Sequence, residues 1–269
     1  MVPPEKPLSG RRKEIYYFSA VCAVFVVIAL FRPDLIAGAF RATAGSLAAG
    51  GMPALKVTAE ILLFAGILWL VARTVPFGAD PARDIPVVLA ASLFGYLAEA
   101  WGTRAGLWTY YTGETPPLWI VPAWFIGALV VDRLSRSTLA EMERRLTAAV
   151  RTWLYRGWLA AFVCVFIAFS GKSLLSPAGL IVSLPLALSF FYAGSRRDRD
   201  AAVLFTGTAC VFFADLWGTT NHCWTYHIQG EPYGLAYGIS FGALFDSAVV
   251  LASIKTAEFI KLRLKAPGA

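Results

Sequence analysis

Ala98-Glu99-Ala100-Trp101-Gly102-Thr103, followed by Leu107-Trp108-Thr109-Tyr110, is written twice in this chain. The second copy reads Ala214-Asp215-Leu216-Trp217-Gly218-Thr219 and then Cys223-Trp224-Thr225-Tyr226. The acid, the Trp-Gly-Thr and the Trp-Thr-Tyr all keep an offset of 116 residues. A Gly-Glu pair follows each copy (Gly113-Glu114 and Gly230-Glu231), and Gly127-Ala128-Leu129 answers Gly242-Ala243-Leu244. So many matches in order over some thirty residues imply a duplicated unit of roughly half the chain. Each copy sets a carboxyl group at the end of an apolar run.

The composition says where those runs belong. Of 269 residues, 58% are hydrophobic and only 15% charged, against about half and a quarter in an average soluble domain. The apolar residues fall in runs long enough to span a bilayer. The first, Ile15 to Phe31, is too long for a cleavable signal and lacks a small-residue cleavage site, so it reads as a retained anchor. Cys22, Cys164 and Cys210 lie in apolar runs and Cys223 in a loop, with no spacing that suggests zinc or iron–sulfur ligation. A net charge of +7 need not mean nucleic acid, because basic residues of a membrane protein mainly set its orientation.

Along the chain, residues 1–13 form a basic, proline-containing tail. The expected spans run from about Glu14 to Phe31, Pro53 to Ala72, Ile85 to Trp101, Pro117 to Val131, Trp153 to Phe169, Pro177 to Ala193, Ala201 to Trp217 and Tyr233 to Ile254. Residues 35–53 are rich in glycine and alanine and carry a lone Arg41; they read as interfacial or inserted. Between the halves, 132–152 has apolar residues near helical spacing among arginines and glutamates, which predicts an amphipathic linker helix. Residues 255–269 form a second basic tail.

The arginine and lysine clusters at 11–13, 73–83, 132–151, 195–199 and 255–265 all fall on one side if the N-terminus is cytoplasmic, as the positive-inside bias requires. The expectation is an all-α polytopic protein of about eight transmembrane helices in a bacterial-type inner membrane, both termini cytoplasmic. Four spans per half is an even number, so the halves, 14–131 and 153–254, would be parallel repeats. Glu99 and Asp215 would then sit near the outer ends of spans three and seven, on opposite walls of one cavity.

An acid inside a bilayer needs a partner, water or a cavity, since insertion there costs about 2.5–3.5 kcal/mol at the centre. A desolvated carboxyl tends to hold its proton, which suits acid catalysis, and two in different surroundings can divide the donor and acceptor roles. The plainer alternative is an interfacial acid that reaches water or pairs with Arg104. Glu60 and Asp246 lie inside their own spans and would join the same pocket if packing brings them together. Trp101, Trp108 and Tyr110 in one half, and Trp217, Trp224 and Tyr226 in the other, read as an interfacial belt, as a π-lined pocket for a polyene or a developing carbocation, or as both. His222 and His227 flank the second Trp-Thr-Tyr, but the first copy has no histidine there, so no metal and no cofactor is expected. Nucleophile elbows, phosphate loops and dinucleotide fingerprints are absent from the sequence.

An acid late in a span, then Gly, then a Trp-x-Tyr pair, then Gly and Pro, resembles the membrane-integral isoprenoid cyclases and hydratases: the lycopene cyclase domain of the small membrane type, the bacterioruberin-pathway hydratases and the membrane meroterpenoid cyclases. The resemblance covers two windows of about thirty residues. It implies that a buried carboxylic acid, here Glu99 or Asp215, protonates an alkene or epoxide, and that Trp108-Thr109-Tyr110 and Trp224-Thr225-Tyr226 take the place of the family's aromatic stretch. The Pro-x-Glu-Glu element of lycopene cyclases is replaced by Pro116-Pro117-Leu118-Trp119. The function expected is acid-catalysed cyclisation or hydration of a hydrophobic isoprenoid, carotenoid or other lipid substrate. The alternatives are a carrier for a small solute or lipid, and a non-catalytic subunit held by membrane protein partners.

Overall fold

In a bilayer every backbone polar group must be satisfied within the chain, so apolar runs of this length are expected to be helical. The computed structural model describes residues 10–191, 196–228 and 231–265, and there they are. The tail at 1–9, the end of the sixth expected span at 192–193, Ser195, Gly230 and residues 266–269 lie outside the described residues. In order, the helices are α1 (Gly10–Phe31), α2 (Pro33–Ala49), α3 (Gly51–Thr74), α4 (Pro81–Arg104), α5 (Val121–Arg145), α6 (Ala148–Leu174), α7 (Pro177–Phe191), α8 (Arg197–Thr220) and α9 (Gly234–Lys265). Two short strands interrupt this all-α pattern, β1 (Trp108–Tyr110) and β2 (Trp224–Tyr226).

Seven of the helices are long and apolar enough to cross a membrane: α1, α3, α4, α5 with the 3₁₀ turn before it, α6, α8 and α9. This makes the chain a helical membrane protein. The expected sixth span is α7, whose 15 residues reach only about 22 Å at 1.5 Å per residue, short of a core about 30 Å thick. Residues 33–49 are a helix with none of its residues buried. It opens on Pro33, which suits a first helical turn because its missing N–H would have no partner there anyway, and it closes at Gly50 with φ 65°.

The separate linker helix expected at 132–152 is not formed as such. Nothing between Val131 and Arg145 breaks a helix, so α5 runs through the fourth span into this stretch. The chain turns at Leu146 and Thr147, and the Thr147 hydroxyl accepts from the Val150 N–H to cap α6.

Packing groups the chain as 1–81 and 82–269, which differs from the expected division at 131/153. In the first unit, α2 packs on α1 and α3. In the second, α8 lies chiefly against α9 and α5, around buried Leu204, Phe241, Phe245, Ala248 and Leu251.

One end of the second unit is tied by charge. Asp84 on α4 accepts from Arg133 on α5 at 2.9 Å. Asp132 takes Arg83 and Arg136. Asp200 on α8 accepts from Lys255 on α9 at 2.6 Å, and Arg199 meets Glu258. Arg83-Asp84 and Arg199-Asp200 stand 116 residues apart, the same offset as the longer motif. Each of these buried acids has a cation, as a charge removed from water requires.

Candidate functional site

The other end of the same unit holds the duplicated motif, and the two copies meet there. β1 and β2 pair antiparallel, with Trp108 opposite Tyr226, Thr109 opposite Thr225 and Tyr110 opposite Trp224. The backbone bonds His227 N–H to Leu107 O and Tyr111 N–H to Cys223 O extend the ladder at its ends. Successive residues of a strand face opposite ways, so Thr109 and Thr225 point outward and are exposed, while Trp108, Tyr110 and Tyr226 point in and are buried. Reading these stretches as loops missed the strands: three residues give too little alternation to register.

Each copy folds its aromatics back onto its own acid. Glu99, only 4% exposed, accepts from the Trp108 indole at 2.9 Å, from the Tyr110 hydroxyl at 2.9 Å and from the Trp124 indole at 3.1 Å. Asp215, also 4% exposed, accepts from the Tyr226 hydroxyl at 3.2 Å and lies in hydrogen-bonding range of the Trp224 indole. One turn on, Thr103 donates to the Glu99 carbonyl at 2.6 Å and Thr219 to the Asp215 carbonyl at 2.5 Å.

The glycine of each Trp-Gly-Thr is the seat of the tryptophan that follows. A Cβ at Gly102 would overlap the six-membered ring of Trp108, and one at Gly218 that of Trp224. This is why the duplicated pattern needs glycine at this offset from tryptophan. The repeated Gly242 has the same kind of role in α9, where a Cβ would strike Asp215 and the Tyr226 hydroxyl.

Tyr110 and Tyr226 stand outside the spans. Burial first, then the carboxyl each one touches, holds both phenols far above the usual tyrosine range, so they remain donors.

Asp246, one turn beyond Gly242, is the third acid of the site. It lies close enough to Glu99 and Asp215 for their charges to act on it, is half-buried, and makes no hydrogen bond among the described residues. None of Glu99, Asp215 and Asp246 has a cation partner among the described residues, in contrast to the acids at the opposite end. Arg104 pairs with none of them. The three do not converge as a metal-holding set.

Of the remaining expected residues, Trp101 is 2% exposed and packs on Trp108, Phe166 and Phe245. Its indole N–H has no partner among the described residues. Trp217 is half-buried. Glu60 belongs to the first unit, where Lys56 lies 3.6 Å from it one turn away.

Two features lie outside the duplicated pattern. Trp124, which the sequence places with Trp101, Trp108 and Tyr110 in the aromatic cluster of the first half, is the third donor to Glu99 and has no counterpart in the second copy, where Ile239 stands near the equivalent place. Behind the ribbon Phe166, Phe241 and Phe245 stack nearly parallel, with Phe169 on Phe241 at 4.0 Å between centroids. Phenylalanines four apart, 162 and 166 on α6 and 241 and 245 on α9, carried that signal. Two small hollows open elsewhere in this unit, one beside Phe94 and Pro185, the other beside Arg83 and Lys261, and neither is lined by the three acids. Comparison with protein families, curated proteins and solved structures finds no match to this chain.

Proposed function

We propose that this protein modifies an isoprenoid or carotenoid by acid-catalysed cyclisation or hydration, with Glu99 and Asp215 as the acid and base. The observation that carries this reading is the contrast between the two ends of one helical unit. Asp84, Asp132 and Asp200 are each neutralised by a basic side chain. Glu99, Asp215 and Asp246 are gathered without one, in an apolar and aromatic setting that leaves a proton as the counter-charge.

In the reaction a carboxyl O–H gives its proton to an alkene carbon, where the C=C pair forms the new C–H bond, or to a lone pair of an epoxide oxygen, where the C–O bond then breaks with its electrons going to oxygen. The resulting carbocation is closed by a second double bond, which forms a C–C bond, or by water. A proton then leaves for the partner carboxylate. Aromatic faces stabilise cations by about 0.5–2 kcal/mol each, and Trp108, Trp101 and the phenylalanine stack supply such faces. Glu99, fixed by three donors, is the more rigid of the two carboxyls. Asp215 lies close enough to the half-buried Asp246 for their charges to interact.

This reading includes eight spans, α7 among them as a short one, arranged as two parallel repeats with both termini in the cytoplasm and the ribbon on the outer face. The charge bias supports that orientation. Membrane-impermeant thiol labelling of Thr109→Cys in intact cells tests it: labelling is expected, and its absence, with labelling only after lysis, overturns the orientation.

The test of function is mass spectrometry of isoprenoids and pigments from cells producing the protein, Glu99→Gln or Asp215→Asn. A product isomeric with its precursor, or heavier by one water, is expected only with the unaltered chain. The same product in both variants at equal protein level overturns the mechanism. A second reading, a non-catalytic membrane subunit, is favoured by the tight filling of the site by its own tryptophans and tyrosines. It requires identical lipid profiles in all three strains.

A further inference from the structure

Glu99 and Asp215 are buried beneath side chains of the ribbon itself, so a substrate as large as an isoprenoid reaches them only if something moves. The bonding of this unit says which part. At the charged end, α4 is pinned to α5, α8 to α9, and α4 and α8 to common acids by buried or half-buried ion pairs. At the ribbon end the two copies are joined by a ladder of three residues per strand with one further backbone bond at each end and by ring contacts, Trp108–Tyr226, Tyr110–Trp224 and those of Trp108 with Phe241 and Phe245 of α9. A two-stranded ribbon of this length is marginal by itself.

Each strand is also anchored to its own helix. Trp108 and Tyr110 hold Glu99 of α4, Tyr226 holds Asp215 of α8, and the two tryptophans fill the seats at Gly102 and Gly218. The chain also turns through the left-handed region at matching points ahead of both strands, at Gly106 with φ 64° and at His222 with φ 55°. These residues are 116 apart, so the same turn seats each strand against its own helix in both copies, although only one has the glycine that favours it.

We propose that the β1–β2 ribbon is the gate to the carboxyl site and that it opens by the parting of its two strands, each staying with its own acid while the ion-paired end acts as the hinge. The proposal rests on the acid site described above, and it names the route by which a long apolar substrate reaches that site: between the copies, from the ribbon end. Parting removes the ladder and the cross-strand ring contacts but leaves the Trp and Tyr donors on each acid, so the opened cleft has one carboxyl on either wall.

Thr109 and Thr225 offer the test. They are direct cross-strand partners with exposed side chains, and antiparallel partners lie about 4.5–5.5 Å apart at Cα, within reach of a disulfide. Thr109→Cys/Thr225→Cys, in a chain whose four native cysteines are replaced by alanine, is reconstituted in lipid. It is treated with dicyclohexylcarbodiimide in reduced and oxidised forms, and peptide mass spectrometry follows modification of Glu99. Removing a minor open population is expected to slow labelling by about tenfold or more in the oxidised form, with recovery on reduction. Equal labelling in both forms, or none in either, overturns the gate.

The labelling needs no turnover, so the two proposals fail separately. Gated labelling in a protein that makes no product sinks the acid reading and leaves the gate. Product formed by the oxidised protein sinks the gate and leaves the acid reading.

Discussion

Gly102→Ala should unseat a tryptophan, and the loss should depend on which ring occupies the seat. The added methyl would overlap the atoms of the Trp108 six-membered ring, in a place where Trp108 is 5% exposed. Overpacking of this kind costs about 1–3 kcal/mol. Displacing the ring also breaks the 2.9 Å bond from its indole to Glu99, a further loss of about 0.5–1.5 kcal/mol. Together these give about 2–4 kcal/mol. Phenylalanine at 108 lacks the atoms that collide, so Gly102→Ala should be much milder in a Trp108→Phe background, with a coupling of about 1–3 kcal/mol. Detergent-solubilised wild type, both single variants and the double would be unfolded chemically and followed by far-ultraviolet circular dichroism. The Gly218 and Trp224 cycle should show the same sign. Additivity within about 0.5 kcal/mol in both cycles would refute the seating argument.

Other consequences follow from the same geometry. Arg133→Met strands the buried Asp84 and should destabilise by about 3–5 kcal/mol; Asp84→Asn in addition should restore most of it, and an unchanged loss in the double variant would show that the pair is not what matters. In a spectrophotometric titration, Tyr110 and Tyr226 should stay protonated while exposed tyrosines ionise near pH 10. Because their folded-state affinity for the proton is raised, the stability they contribute is intact below about pH 10 and falls as pH rises above it. Ionisation of all tyrosines together in the folded protein would contradict this. His222→Gly relieves a left-handed backbone, and melting should show a change between neutral and about 1 kcal/mol stabilising; a clear destabilisation would mean the imidazole has a structural role.

How much of this the sequence disclosed depends on the length scale of each signal. Long apolar runs announce helices, and seven helices long and apolar enough to cross a membrane lie where hydropathy places them among the described residues. The paired acids and their Trp-x-Tyr partners were legible because duplication repeats a pattern at one fixed offset, which local propensity cannot mimic. What stayed hidden is what depends on contact across distance. Trp124 belongs to the aromatic cluster of the first half, but that it donates to Glu99 from 25 residues away is not marked by anything in its neighbourhood. The strands are too short to show alternation, so their pairing emerges only when the two copies are brought face to face. The continuation of α5 beyond the apolar run escaped because a change in polarity was taken for a boundary, whereas a helix stops only where a breaker or cap stops it. Glu60 looked equivalent to the other intramembrane acids by composition, yet it belongs to a different packed unit and has Lys56 beside it.

The central claim is that carboxyls left without cations beneath the ribbon hand a proton to an alkene or epoxide. Turnover in heavy water tests it most directly, with the isoprenoid product of the wild-type membranes analysed by mass spectrometry and set beside those of Glu99→Gln and Asp215→Asn. The account predicts that with an alkene substrate the wild type gives a product bearing one carbon-bound deuteron from solvent, with an epoxide a ring-opened product whose O–D exchanges on work-up, and that neither variant gives any product. An alkene-derived product free of carbon-bound deuterium, or a product of either kind that both variants still make at the wild-type level, would contradict it.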